Sequence, residues 1–117
     1  MTEVSRVREL HLGNGSLIVS YDVCTAIFDY AKALTLAKLA DVITVPILFN
    51  GQRADSNVLI SPASQLFCTP AEDHGIDLDD AELVAELARR AAMLVAPVRP
   101  SMDPTSTNMP DDLDFSL

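Results

Sequence analysis

The segment from Ser20 to Ala40 contains neither glycine nor proline, and its apolar residues recur with helical spacing. Steps of four and three residues alternate along its main apolar face, which consists of Val23, Ile27, Tyr30, Leu34 and Ala37. Either Ser20 or Asp22 can cap the helix. Further apolar residues widen the face, namely Phe28, Ala31, Leu36 and Leu39. We therefore expect a central helix that is covered on more than one side, by the core or by a second copy of the chain.

A hairpin is predicted before this helix. Two short apolar runs, 10–12 and 16–19, flank Gly13-Asn14-Gly15. Because a two-residue turn needs positive φ angles, Asn14-Gly15 is the favoured central pair.

Three more strands are predicted after the helix. Val42 to Phe49 alternates in the manner of a strand, and Pro46 within it predicts an edge position or a bulge. A polar connection follows over 50–56. The short apolar runs 57–60 and 65–69 then suggest a second hairpin, and a short helix capped by Ser61 is the alternative.

The second helix has a strong start signal. Asp79 is followed three residues later by Glu82, which is the spacing of a capping box, and Leu78 can form a hydrophobic staple with Leu83. Its packing stripe is Leu83, Leu87, Ala91 and Leu94. Pro97 ends the helix near Val95.

These elements predict an α+β fold with an antiparallel sheet of about five strands, in the order β-β-α-β-β-β-α, and two helices. Residues 1–98 form a single domain in this prediction. Residues 99–117 are rich in proline, serine, threonine and aspartate, which predicts a disordered acidic tail. The element order resembles that of dimerising roadblock-type domains without their first helix, which implies a fold-level analogy and no site.

Charge is concentrated in the second part of the chain. Residues 1–71 carry a net charge of −1 and residues 72–117 a net charge of −8, which together give the −9 of the whole sequence. Such a chain has no basic stripe for a phosphate backbone, and an anionic membrane surface repels it. We therefore expect neither direct nucleic-acid binding nor membrane binding.

The sequence also bears on location. The N-terminal residues carry charges of both signs and lack the apolar run of a secretory signal. Cys24 and Cys68 lie in apolar surroundings far apart in sequence, which suggests buried free thiols in a reducing compartment. These observations predict a cytoplasmic protein.

Few residues suggest catalysis or metal binding. His74 could bind a metal together with Asp77 or Asp79, but the spacing matches no zinc or calcium motif. Cys24 lies at the start of a helix and could act as a nucleophile only with His11 or His74 beside it. The sequence therefore predicts no catalytic residue, no cofactor and no metal.

The last residues combine acids with apolar side chains. They end the chain with Asp111, Asp112, Leu113, Asp114, Phe115, Ser116 and Leu117. This peptide resembles the acidic C-terminal peptides of bacterial single-stranded-DNA-binding proteins and of the tubulin-like bacterial division protein. The resemblance implies docking into a protein partner with a basic groove, through the acidic and apolar residues of the peptide.

The leading hypothesis is a non-catalytic protein-interaction module. It would form a homodimer through the first helix or the edge strand, and its acidic second helix or C-terminal peptide would recruit a partner. One alternative is an acidic mimic of nucleic acid that inhibits a DNA-binding protein. A second is a small-ligand binder or enzyme that uses Cys24 or His74.

Overall fold

The computed structural model describes residues 6–95, which form five strands and two helices in the predicted order. The elements are β1 (Val7–Leu12), β2 (Gly15–Ser20), α1 (Tyr21–Ala37), β3 (Asp41–Phe49), β4 (Gln52–Ile60), β5 (Leu66–Pro70) and α2 (Ala81–Val95). The α+β class with antiparallel sheets is thus confirmed. The predicted boundary at residue 98 and the predicted tail lie outside the described residues.

The strands form two antiparallel sheets. One has three strands in the order β2-β1-β5, and the other consists of β3 and β4. Strands β2 and β3 contact each other without forming a ladder. The edge position predicted for Pro46 is confirmed, because β3 belongs to a two-stranded sheet.

The predicted second hairpin is wrong. Strand β5 pairs with β1, where Leu10 lies opposite Cys68, and β4 pairs along its whole length with β3. The segment 50–56 is therefore not a connection. Asn50 and Gly51, with φ angles of 53° and 78°, form a tight turn, and the strand resumes at Gln52.

Local turn chemistry explains two smaller differences. In the first hairpin Leu12 pairs with Gly15, so Gly13 and Asn14 are the central pair instead of Asn14-Gly15. Gly13 carries the positive φ of 57°, the pattern of a type II′ turn. Ser61 starts a turn and not a helix, since the Ser64 amide donates to the Ser61 carbonyl at 3.0 Å.

Helix α1 begins at the cap predicted from Ser20. The Ser20 hydroxyl accepts a hydrogen bond from the Val23 amide at 3.0 Å. The helix ends at Ala37 because Lys38 adopts a left-handed conformation, in which its amide donates to the carbonyls of Leu34 and Thr35. The core consists of Leu10, Val19, Val23, Cys24, Ala26, Ile27, Tyr30, Leu34, Ile43, Val45, Ile47, Val58, Ile60 and Leu87.

Helix α2 packs on this core through its predicted stripe, with Leu87 fully buried. Its cap is Asp80 and not Asp79, since the Leu83 amide donates to the Asp80 carboxylate at 3.0 Å. The amide of Asp79 instead donates to the Asp77 carboxylate at 2.9 Å. Asp79 and Asp80 are both possible caps by sequence. The turn closed by the bond between Asp77 and the Asp79 amide leaves Asp80 at the start of the helix.

The prediction of two free thiols is also wrong. Cys24 in α1 and Cys68 in β5 form a disulfide. The pairing of β5 with β1 puts Cys68 in the sheet next to α1, a long-range pairing that the predicted second hairpin did not contain. Free thiols therefore no longer support a reducing compartment, and the cytoplasmic location stays a prediction. Within residues 6–95 no helix is long and apolar enough to cross a membrane.

Candidate functional site

The disulfide lies at a small surface cavity of about 130 Å³. The cavity is lined by Arg8, Tyr21, Cys24, Thr25, Phe28 and Cys68. Cys24 is only 3% exposed, whereas Cys68 is half-buried, so Cys68 is the more accessible of the two cysteines.

Arg8 forms one wall of this cavity. Its guanidinium lies over the Tyr21 ring, 5.4 Å from the ring centre, and donates a hydrogen bond to the Cys68 carbonyl at 3.5 Å. A cation therefore lies beside the disulfide, held by an aromatic face and a backbone oxygen.

The structure does not place a histidine in this cavity. The His11 ring stacks on Phe67 with ring centres 4.3 Å apart, and its Nε2 lies 3.0 Å from the Thr69 hydroxyl. Cys24 is disulfide-bonded and has no base among the described residues that line its cavity. The constellation needed for a cysteine nucleophile is therefore not assembled.

His74 lies in the exposed loop before α2. Its side chain is 57% exposed and lies 3.8 Å from the Glu72 carboxylate. The carboxylate of Asp77 accepts the Asp79 amide, and Arg53 donates to the backbone carbonyls of both aspartates at 3.2 and 3.0 Å. Within residues 6–95 no three His, Cys, Asp or Glu side chains form a group suited to a metal ion.

A polar cluster links α1, β3 and α2. The Tyr30 hydroxyl donates to the Asp41 carboxylate, and the Arg90 guanidinium donates to the same carboxylate at 3.0 Å and to Glu86 at 2.7 Å. Hydrogen bonds from Arg89 and then Arg90 lower the pKa of Glu86 to about 2. The Tyr30 hydrogen bond is the main cause of a lowered pKa at Asp41, and burial raises the pKa of Tyr30 itself.

This cluster holds α1, β3 and α2 together and offers no free reactive group. Each of its carboxylates has a cationic partner. Glu86, one of the acids that made the second helix look acidic in sequence, is paired with both Arg89 and Arg90. The negative charge at this position of α2 is therefore compensated.

Two exposed apolar side chains lie side by side at the start of β3 and the end of β4. Val42 and Leu59 lie directly opposite each other across the β3–β4 ladder and are 57% and 58% exposed. We call this cross-strand pair the hairpin-end patch. Leu36 and Leu39, just before β3 in the chain, are also exposed, by 72% and 48%.

The opposite end of the same hairpin face is covered. Arg53 shares the face of Leu59, and it donates to carbonyls of the loop before α2. Pro46, on the face of Val42, is fully buried. The loop thus covers one end of the face and leaves the hairpin-end patch open.

Sequence reasoning missed the patch, although its signal was present. Val42 falls on the strand face opposite Ile43 and Val45, and an apolar residue on an outward face is an indicator of contact. The tail residues predicted to bind a partner, including Phe115, lie outside the described residues. The chain matches no family model, and comparisons with curated proteins and with solved structures find no similar protein.

Proposed function

We propose that this protein is a non-catalytic interaction module that forms a homodimer through the hairpin-end patch. The observation that carries the proposal is the exposed cross-strand pair Val42 and Leu59. The two side chains form a contiguous apolar surface on the outward face of the sheet, and contiguous exposed apolar surface is typical of an interaction site.

A second copy of the chain is the partner that suits this patch. Both side chains are uncharged, and each chain carries a formal net charge of −9. Two copies repel each other over most of their surface, so contact through an apolar patch is favoured. A stable interface buries about 800 Å² per partner, so the patch forms the centre of a weak dimer.

The dimer is expected to respond to salt and to one substitution. Salt screens the repulsion between the two anionic copies, so dimerisation strengthens between low and high ionic strength. Leu59→Lys places a charge in the centre of the contact and abolishes dimerisation in sedimentation velocity across a concentration series.

Phe49→Lys is the matched control. Phe49 is 58% exposed in the same strand as Val42, seven residues away, which is roughly 23 Å along a strand. This variant should dimerise like the natural chain. A natural chain that stays monomeric at high protein concentration, or a Leu59→Lys variant that dimerises normally, contradicts the proposal.

Recruitment of a further partner by the C-terminal peptide remains a prediction from the sequence alone. Recruitment by α2 likewise remains a prediction from the sequence, and in the structure its acid Glu86 is paired with Arg89 and Arg90.

A further inference from the structure

The cavity at Cys24 and Cys68 has a reactive bond that the proposed dimer does not use. Both cysteines line it, together with Arg8, Tyr21, Thr25 and Phe28. A volume of about 130 Å³ admits the end of a small molecule and excludes a folded protein segment. The disulfide is therefore accessible to a small reagent from one side.

Arg8 gives the cavity a charge preference. Among the arginines within residues 6–95, Arg8 is the one without a carboxylate partner; Arg6, Arg53, Arg89 and Arg90 each lie within 4.0 Å of one. Because its positive charge is not neutralised, it attracts anionic molecules to the cavity.

The two sulfurs are not equivalent. Cys68 is the more exposed cysteine, so an incoming thiolate reaches its Sγ more easily. Cys24 is the fourth residue of α1, directly after the turn capped by Ser20. A thiolate formed at Cys24 when Cys68 is attacked lies near the positive end of the helix dipole.

We propose that the Cys24–Cys68 disulfide is a thiol-exchange site for small acidic thiols. The thiolate of the small molecule attacks Cys68 Sγ, a new S–S bond forms there, and the bond to Cys24 breaks with its electron pair leaving on Cys24 as a thiolate. A second small thiolate then attacks the sulfur of the first, which releases the symmetric small disulfide and leaves Cys68 as a thiolate. The protein disulfide is reduced to two thiols and two small thiols are oxidised.

The test uses the full-length chain and two probe thiols of different charge. Glutathione reacts as a thiolate of net charge −2, and 2-mercaptoethanol reacts as a thiolate of charge −1. Before reaction, the denatured natural chain should contain no titratable thiol. After brief reaction with glutathione, trapping with excess N-ethylmaleimide and peptide mapping should find glutathione on Cys68 and maleimide on Cys24.

The charge preference is tested with Arg8→Gln. This variant should react with glutathione roughly fivefold more slowly than the natural chain and with 2-mercaptoethanol only about twofold more slowly. Lys32→Gln removes the same charge from a position of α1 that does not line this cavity, and it should leave both rates unchanged.

Three results would overturn the proposal. Two free thiols per chain before reaction would show that the bond is absent. Glutathione mapped to Cys24 would reverse the assignment of the attacked sulfur. Equal slowing of both probe thiols in Arg8→Gln would mean that Arg8 acts on the fold of the cavity and not on the charge of the reagent.

Discussion

The Tyr30 side chain both packs in the core and makes a hydrogen bond to a carboxylate at the edge of the core. Its ring is 4% exposed in the core, while its hydroxyl reaches the Asp41 carboxylate at the start of β3. The periodicity of α1 predicted the buried ring. The hydroxyl partner depends on where the chain returns after Lys38, which no local pattern specifies.

Removal of this hydroxyl should destabilise the fold while leaving the core packing intact. Tyr30→Phe deletes a hydrogen bond to a charged acceptor, so we expect a loss of about 1–2 kcal/mol in the free energy of unfolding. Chemical denaturation of the natural chain and of Tyr30→Phe measures this loss.

Tyr21→Phe is the control for that measurement. Tyr21 lies in the same helix and is 42% exposed, so the loss should stay below about 0.5 kcal/mol. If both variants lost the same stability, the bond between Tyr30 and Asp41 would not be a stabilising contact.

At the scale of elements, the residues after each turn determined whether the sequence pattern was interpreted correctly. The sequence of α1 carried a long apolar period and two candidate caps, Ser20 and Asp22, of which the structure uses Ser20. Asn50-Gly51 was also visible, but the polar residues after it suggested a loop. Arg53, Asp55 and Asn57 lie on the outward face of β4, whose inward face holds Val58 and Ile60.

The turn at Gly51 should be sensitive to any added side chain. Its φ is 78°, and no atom lies within 4 Å of the position that an alanine Cβ would occupy. Gly51→Ala therefore costs only conformational energy, about 1 kcal/mol. The midpoint of urea unfolding should fall accordingly.

Gly15→Ala separates this effect from a general effect of alanine. Gly15 also has open space around its Cβ position, but its φ is not in the left-handed region. The stability of the Gly15→Ala variant should therefore be unchanged or slightly raised. A similar loss at both glycines would contradict the role assigned to the Gly51 backbone.

At the scale of the whole molecule, long-range ion pairs join segments that are distant in sequence. Arg6 pairs with Asp73 at 2.8 Å, and Arg90 of α2 pairs with Asp41 of β3 at 3.0 Å. The hydrogen bonds from these partners contribute to lowered pKa values at Asp73 and Asp41, as those from Arg89 and Arg90 do at Glu86.

These shifts predict acid sensitivity. A carboxylate whose pKa is lower in the folded state binds fewer protons there than in the unfolded chain, so stability falls as the pH falls. For Glu86 the stabilisation is complete above about pH 4.5 and is lost as the pH falls towards about 2.

Unfolding curves recorded over this pH range test the prediction. Glu86→Gln cannot titrate, so its stability should depend less on pH between about 4.5 and 2 than that of the natural chain. Equal slopes in the two proteins would show that Glu86 is not linked to folding.

The sequence by itself determined the number, type and order of the elements, because helix periodicity, caps and strand alternation are properties of neighbouring residues. It also limited the cap of α1 to Ser20 or Asp22 and indicated the packing stripe of α2. Tertiary structure decided that β5 pairs with β1, that Cys24 meets Cys68, and that Val42 and Leu59 stay uncovered. Each of these depends on contacts between residues far apart in sequence, for which many pairings satisfy the same local pattern and only the packing of the whole core selects one.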